Sequence, residues 1–312
     1  MSLQPIVIMG VFAVDLTFRT PVMPVWGETL RGSEFRMGPG GKGSNQSVAA
    51  ARLGADVYFI SKFGSDSFGA LARQTHRDEG VHGDFLFASA ESSTGAALIV
   101  VDEVRGENAI IVVPGAADTL TIYEIDRAEA QIASAACFMT QLELPLPIVE
   151  HGLRLGRRLG VPTILNPAPA CELPESILKL CDYLTPNETE ASALTGMPVD
   201  NLEQAGRAAD GLLARGVRNV VVTLGAGGAL VKNATLAAHV AAFHAGPVIE
   251  TTGAGDALNG GFAVGLSEGM DLVSAVRFGC AVAGISVTRH GTAPSMPSRP
   301  EVDALLAKNQ CC

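Results

Sequence analysis

The residues best suited to chemistry lie in one stretch near the C-terminus, residues 250–266. Gly253, Ala254 and Gly255 leave their backbone N–H groups unshielded, and apolar residues then recur at helical spacing. A helix that begins at this loop offers unpaired N–H donors and the positive end of its dipole, which together bind phosphate. Asp256 lies in the same turn, where a carboxylate could take a proton from a hydroxyl that attacks phosphorus. The stretch therefore predicts phosphoryl transfer.

The same residues also have a purely structural interpretation. Gly253 and Gly255 could simply make a tight turn, and Asp256 could simply cap the helix, since Asp is favoured at helix starts for capping alone. A lone Gly-x-Gly-Asp does not distinguish the two interpretations. The rest of the chain has to decide between them.

Composition restricts the class of protein. The chain has 312 residues, 47% of them hydrophobic, and a formal net charge of -10. This is enough for one large α/β domain or two smaller ones, and the acidic balance argues against nucleic acid or an anionic membrane as a partner. No apolar run reaches the roughly 18 residues of a membrane span, and the start of the chain does not resemble a signal peptide. We therefore expect a cytoplasmic protein with reduced cysteines, including Cys311 and Cys312.

Short apolar runs alternate with amphipathic segments along most of the chain, which is typical of an α/β fold. Polar or small residues follow five of the predicted strands, namely Asp15, Glu143, Asn166, Asn187 and the turn 225–228. Because the carboxyl ends of parallel strands meet at one edge of a sheet, where ligands collect, we expect these residues to lie near one site. Asp15 taken alone could equally cap a turn.

A second glycine-rich stretch, residues 38–46, presents Lys42 and Asn45 before a helix predicted over 47–53. It fits the Gly-x-Gly-x-x-Gly pattern of dinucleotide-binding folds, but the preceding segment is polar and alternating rather than a buried strand. It is not a P-loop either, because Lys42 is followed by Gly43 rather than by Ser or Thr. A cation and an amide offered together suit a ligand with many hydroxyl groups.

One segment breaks the α/β alternation. The runs 94–101 and 109–113 are typical of a hairpin, and we expect it to form a small second sheet with 27–37. Further helices are predicted over 67–79, 121–133, 145–158, 201–215 and 271–284.

The two glycine-rich stretches together establish a resemblance. Gly-Gly-Lys-Gly-Ser-Asn-Gln at 40–46 and Thr-Thr-Gly-Ala-Gly-Asp at 251–256 resemble the two signatures of the ribokinase family of PfkB-type sugar kinases. The resemblance implies one kinase domain over 1–312, folded as a three-layer α/β/α sandwich with a mainly parallel central sheet. It also implies a small β-sheet lid, built from about 13–37 and 92–114. The implied activity is ATP-dependent phosphorylation of the primary hydroxyl of a pentose, with D-ribose giving ribose 5-phosphate.

The resemblance also implies roles for residues of this chain. Asp256 would be the general base, and the anion hole would be formed by Gly253, Ala254 and Gly255. The sugar would be held by Asp15, Gly41, Lys42, Asn45 and Glu143, with Asp256 at the reacting hydroxyl. ATP would be held by Asn187, Thr223, Gly225, Gly228 and Gly255, and Mg²⁺ would bind through water to Glu190. A monovalent cation, K⁺, would be held by Glu250, Thr252, Ser286, Arg289, Gly291 and Ser295. The lid would pair two subunits into a homodimer.

Two positions depart from the family pattern. Glu250 stands where the family usually has Asp, so the carboxylate at the cation site is one methylene longer. Ala13 stands where ribokinases carry an Asn whose amide contacts the 2-hydroxyl of the sugar, and an apolar residue at this position also occurs in deoxyribokinases. 2-Deoxyribose is therefore the alternative substrate, ahead of other sugars.

Two different classes of protein were weighed against a kinase. A nucleotide-binding oxidoreductase is suggested by the glycines of 38–43, but the first strand does not end in the glycine-rich turn that such a fold needs. A non-catalytic binding module predicts the loss of Asp256 or of the neighbouring glycines, and both are present.

Overall fold

The computed structural model describes residues 4–105 and 107–309. Within these residues the strands are β1 Ile6–Met9, β2 Ala13–Thr20, β3 Glu34–Gly40, β4 Val57–Gly64, β5 Leu86–Ser89, β6 Thr94–Asp102, β7 Asn108–Gly115, β8 Cys137–Thr140, β9 Thr163–Leu165, β10 Tyr183–Leu184, β11 Asn219–Thr223, β12 Ala229–Asn233 and β13 Ala237–Val240. The α-helices are α1 Lys42–Arg52, α2 Ser67–Asp78, α3 Ile122–Asp126, α4 Glu129–Ala133, α5 Leu146–Arg158, α6 Glu175–Leu178, α7 Glu188–Thr195, α8 Leu202–Ala214, α9 Ala254–Ser267, α10 Leu272–Ser286 and α11 Arg299–Lys308.

Nine strands form the central sheet, in the order β13-β12-β11-β10-β9-β8-β1-β4-β5. β1 lies between β4 and β8 and is parallel to both, with Ile6 paired to Val57 and to Cys137. β12 is antiparallel to both of its neighbours, whereas the strands from β11 to β5 run parallel. The carboxyl ends of β1, β8, β9, β10 and β11 therefore meet at one edge.

Helices cover both faces of this sheet and give it two hydrophobic cores. Alternate residues of β1 divide between them: Ile6 and Ile8 point into one core, and Val7 and Met9 into the other. The first core includes residues of α1, α9 and α10, and the second includes residues of α5 and α8. A strand that is apolar at every position is expected where both faces are covered. The predicted three-layer α/β/α arrangement with a mainly parallel sheet is confirmed.

A separate four-stranded sheet has the order β3-β2-β6-β7, and we call it the lid sheet. The predicted hairpin is confirmed as β6 and β7, which are antiparallel. The expectation that 27–37 shares a small sheet with the hairpin holds only from Glu34 onward. Gly27 has a left-handed backbone and lies in a turn, so β3 starts only at Glu34, and β2 separates it from the hairpin.

Other boundaries also differ from the sequence-based expectation. The helix predicted over 47–53 begins five residues earlier, at Lys42, because Gly41 adopts a left-handed φ of 85° and serves as its N-cap. The helix predicted over 121–133 is interrupted and forms α3 and α4, with Ala128 capping the second. β5, β12, β13, α6 and α7 were not predicted.

Two further expectations concern the cysteines and the membrane. Cys137, Cys181 and Cys280 are buried free thiols, whereas Cys311 and Cys312 lie outside the described residues. In the part of the chain that the structure describes, no helix combines the length and the apolar character needed to span a bilayer.

Candidate active site

The predicted anion hole lies at the start of helix α9. Gly253 is the N-cap and has a left-handed backbone, φ 83°, and a Cβ there would lie 3.2 Å from the Cα of Thr292. Both the backbone and the available space therefore favour glycine. Among the described residues no side chain caps this helix. The backbone N–H of Ala254 donates to the carbonyl of Thr251 at 3.1 Å, so the N–H groups of Gly253 and Gly255 are the ones left for an anion. Such a helix start binds phosphate through these donors and its dipole.

Asp256 lies in the first turn of α9 and is only 6% exposed. Asn45 donates from Nδ2 to its Oδ2 at 2.9 Å, and Gln46 donates from Nε2 to its Oδ1 at 3.0 Å. Burial raises the pKa of Asp256, against the opposing effects of Lys42, Asn45 and Gln46. Each carboxylate oxygen therefore has one amide donor, which fixes the orientation of the group.

The remaining residues predicted to hold a sugar surround Lys42. The backbone N–H of Lys42 donates to Oε2 of Glu143 at 2.8 Å, and Thr292 donates its hydroxyl to Oδ2 of Asp15 at 3.2 Å. Burial raises the pKa of Asp15 to about 6 and that of Glu143 to about 7. Burial alone would lower the pKa of Lys42, but the carboxylates of Asp256 and Glu143 outweigh it, so that pKa lies above its usual value.

Two cavities adjoin this cluster. One, of about 470 Å³, lies against the lid sheet and is lined by residues that include Asp15, Arg19, Ile99, Glu250 and Thr292. The other, of about 350 Å³, is lined by residues that include all five positions predicted for ATP, namely Asn187, Thr223, Gly225, Gly228 and Gly255. Val248 and Thr251 line both cavities, so the two spaces meet just before α9.

Asn187 and Glu190 form the N-terminal capping box of α7. Asn187 accepts from the backbone N–H of Glu190 at 2.8 Å, and Glu190 accepts from the backbone N–H of Asn187 at 2.9 Å and from its Nδ2 at 3.0 Å. Asn187 also forms a β-bridge with Thr223. Burial raises the pKa of Glu190. The pair joins α7 to the edge of β11, beside the smaller cavity.

Glu250, at the predicted cation site, contacts the segment that follows α10. Its Oε2 accepts from the backbone N–H of Gly291 at 3.0 Å and lies 3.5 Å from Nδ1 of His290. Glu250, Thr252 and Gly291 line the larger cavity together. A carboxylate offers oxygen ligands to a cation, and the backbone carbonyls of the residues that line this cavity could supply others.

The side chains of the other three predicted cation positions already have partners within the protein. The hydroxyls of Ser286 and Ser295 donate to carbonyls three residues earlier in the chain, at 2.9 and 2.7 Å. The guanidinium of Arg289 pairs with Glu301. Because a donating hydroxyl keeps its lone pairs, each serine could serve a cation through its hydroxyl or its backbone oxygen, whereas Arg289 could serve one only through its backbone oxygen.

Sequence reasoning missed three residues that contact the site. Gln46 and Thr292 donate to Asp256 and Asp15, and Gln141 donates from Nε2 to Oε1 of Gln46 at 2.6 Å. Gln46 could have been found from the sequence. Once α1 is known to start at Lys42, residues 42, 45 and 46 have the i, i+3, i+4 spacing of one helix face.

Comparisons with known proteins agree with this geometry. The model of the "pfkB family carbohydrate kinase" matches residues 5–299. The chain is 40% identical to the ribokinase of Haemophilus influenzae over 298 residues, covering 96% of this chain and 97% of the relative. It is 37% identical to the deoxyribokinase of Salmonella typhi over 306 residues, covering 98% and 99%. The solved structure of Arabidopsis thaliana ribokinase complexed with ribose and ATP has a TM-score of 0.92 at 32% identity, covering 98% of this chain and 99% of that one.

A helix start without a side-chain cap, with a buried carboxylate in its first turn, suits phosphoryl transfer. The chain belongs to the pfkB family of carbohydrate kinases, and its fold is ribokinase-like. It is therefore an enzyme, a sugar phosphotransferase of the ribokinase type.

Proposed function

We propose that this protein transfers the γ-phosphate of ATP to the primary hydroxyl of a pentose, with D-ribose giving ribose 5-phosphate. The observation that carries the proposal is the position of the α9 start. Ala254 and Gly255 line the smaller cavity, Thr251 lines both cavities, and Asp256 lies in the same turn. The ribokinase and deoxyribokinase relatives, and the neighbour that binds ribose and ATP, support the same reaction.

In this reaction Asp256 removes the proton from the attacking hydroxyl. Asn45 and Gln46 hold its carboxylate in place, and the unpaired N–H groups at the start of α9 stabilise the charge that develops on the transferred phosphoryl group. Lys42 adds a positive charge to a cluster that is otherwise acidic. Asp15 and Glu143 provide acceptor oxygens for the sugar hydroxyls.

The nucleotide would occupy the smaller cavity. Gly228 lines this cavity, and the position requires glycine, because its φ is 89° and a Cβ would lie 2.0 Å from the carbonyl oxygen of Val240. Mg²⁺, when bound, neutralises charge on the phosphates, and Glu190 would hold it through water. The carboxylate of Glu190 fits this role, because its two oxygens already orient Asn187 and retain lone pairs for water.

The preference between ribose and 2-deoxyribose is expected to depend on Ala13. Ala13 is 3% exposed and lies beside Gly41, since a Cβ on Gly41 would lie 2.8 Å from the backbone N of Ala13. The methyl side chain of Ala13 cannot form a hydrogen bond with the 2-hydroxyl of ribose. We expect Ala13→Asn to raise the ratio of kcat/KM for ribose to kcat/KM for 2-deoxyribose by about tenfold, the value of one hydrogen bond.

The matched control for this substitution is Ala13→Val, which adds volume but no amide. It should leave the ratio of kcat/KM for ribose to kcat/KM for 2-deoxyribose unchanged, even if both values of kcat/KM fall. Steady-state kinetics with ATP, Mg²⁺ and K⁺ measure the ratio. An equal shift in the two variants would show that the residue acts by size alone, and no turnover of either pentose by the wild type would contradict the proposed substrate class.

We also propose that K⁺ binds next to Glu250 and activates the enzyme. Replacing K⁺ by tetramethylammonium at constant ionic strength should lower kcat severalfold. Glu250→Asp, which removes one methylene, should lower the K⁺ concentration needed for half-maximal activity. A wild-type rate that does not change when K⁺ is removed would contradict the site.

The lid sheet is proposed to pair two copies of the chain. Its face away from the larger cavity carries apolar residues that are 37 to 63% exposed, namely Phe18, Phe35, Leu98, Ile111 and Val113. A continuous exposed apolar face is typical of an interface. Sedimentation should show a dimer at micromolar concentration, which Ile111→Lys dissociates and Ile122→Lys, on exposed α3, does not. A wild-type monomer would contradict the pairing.

A further inference from the structure

Every polar group of the Gln46 side chain is hydrogen-bonded to another side chain of the protein. It is 0% exposed, and its Nε2 donates to Oδ1 of Asp256 at 3.0 Å and to Oδ1 of Asn166 at 3.2 Å. Its Oε1 accepts from Nε2 of Gln141 at 2.6 Å. No hydrogen-bonding group of Gln46 is left for a substrate.

The direction of this amide is fixed by groups at both ends. An ionised Asp256 can only accept, so the Nε2 of Gln46 must face it. Asn166 donates its own Nδ2 to the carbonyl of Thr185 at 3.1 Å, so its Oδ1 must face Gln46. The Oε1 of Gln46 is then left for Gln141, whose own Oε1 is buried without a partner among the described residues. The reversed amide would place two oxygens against each other.

The side chain of Asn45 differs from that of Gln46 in its hydrogen bonding. It donates to the other oxygen of Asp256, but its Oδ1 is buried without a hydrogen-bond partner in the described structure. A buried acceptor without a partner is costly, and a sugar hydroxyl would satisfy it. Asn45 can therefore contact both the carboxylate and the substrate, whereas Gln46 serves the carboxylate alone.

We propose that Gln46 is a positioning residue that holds the catalytic carboxylate of Asp256 through one oxygen, with its own orientation set by Gln141 and Asn166. The inference rests on the proposed function, in which Asp256 is the base. The loss of Gln46 should lower kcat without weakening sugar binding, because Asn45 and the other sugar-binding groups remain.

The pH profile should report the same role. Asp256 must be ionised to accept a proton, and it is faced by the cation of Lys42 and by the acids Asp15, Glu143 and Glu190. Burial raises its pKa and the amide donors oppose this. Removing one donor favours the protonated form, so the acid limb of kcat should move to higher pH.

The experiment compares Gln46→Met and Gln46→Glu with wild type. Met keeps the length of the side chain without the N–H groups. Glu keeps the shape and can still accept from Gln141, but it adds a negative charge beside Asp256. We expect kcat at neutral pH to fall by about 10- to 100-fold, as for the loss of a hydrogen bond to a charged group, with KM for the sugar within about twofold. The acid limb should move upward in both variants, and further in Gln46→Glu.

Ser47→Ala is the matched control. Ser47 is the next residue on α1, is also 0% exposed, and donates its hydroxyl to the carbonyl of Gly43 at 2.8 Å. The change removes a buried hydrogen bond from the same helix without touching Asp256. It should leave kcat and the pH profile unchanged. If Ser47→Ala moves the profile as far as Gln46→Met does, the effect comes from the packing of α1 and the proposal is overturned.

The outcomes separate this proposal from the proposed function. If wild type is active, Asp256→Asn is inactive and both Gln46 variants keep the wild-type kcat and acid limb, only the role of Gln46 is overturned. If wild type phosphorylates no sugar, the proposed function fails and this inference fails with it. If Gln46→Met does not fold, Gln46→Glu alone decides, because its shape and its contact with Gln141 are retained.

Discussion

Asp256→Asn is expected to lower kcat by about 10²- to 10⁴-fold, the usual contribution of a general base. An amide has the shape of the carboxylate but cannot accept the proton of the attacking hydroxyl. The variant should still fold, because the substitution removes a buried charge whose pKa is already raised by desolvation. ATP binding, measured by calorimetry, should be retained.

The control for this variant is Asp271→Asn. Asp271 is the N-cap of α10 and accepts from the backbone N–H of Ser274 at 3.0 Å. It undergoes the same chemical change, but it caps a different helix and its carboxylate accepts from Ser274 rather than from Asn45 and Gln46. Its kcat should equal that of wild type. Near-normal turnover by Asp256→Asn would remove the base from the mechanism, whatever the control shows.

Gly255→Ala should lower kcat/KM for ATP by about 10²- to 10³-fold, because the added methyl group keeps the phosphate away from its N–H donors, and the loss of such a donor has an effect in this range. A Cβ built on Gly255 meets no atom within 4 Å, and its backbone φ is not left-handed, so the fold accepts the methyl group. The methyl group would stand beside the smaller cavity at the phosphate-binding turn. Alanine also favours a helix over glycine, so the melting temperature should be unchanged or higher.

Gly206→Ala provides the matched control. Gly206 lies within α8, where a Cβ also meets no atom within 4 Å. This substitution should raise the melting temperature and leave kcat/KM unchanged. A Gly255→Ala enzyme with wild-type kinetics would show that the start of α9 does not bind the phosphate, and a loss of activity in both variants would show a general effect of the mutation.

The architecture could be predicted from the sequence because its signals are local. Continuous apolar runs such as Ile6–Met9 and Asn219–Thr223 are typical of buried parallel strands, and both were found. β12 and β13 were missed because their own patterns are weak: Ala229–Asn233 has only three apolar residues, and half of Ala237–Val240 is alanine, which is depleted in strands. They are strands because β12 pairs with β11 and β13 pairs with β12.

The site was harder to predict where glycine has two uses. The glycines of 38–46 were taken as a loop, but Gly41 caps a helix and Gly43 lies inside it. Gly43 allows α1 to approach β1, since a Cβ there would lie 2.7 Å from the Cα of Gly10. This close packing, which no local propensity reports, turns Asn45 and Gln46 toward Asp256.

The most direct test of the proposed activity is phosphorus NMR of the product. Wild-type enzyme would be incubated with ATP, Mg²⁺ and K⁺ and either ribose or 2-deoxyribose, with Asp256→Asn as the blank. We predict that at least one pentose yields a phosphate ester on its primary hydroxyl, together with ADP, and that the blank yields none. A product phosphorylated at a different hydroxyl, or no sugar phosphate from either pentose, would contradict the proposed reaction.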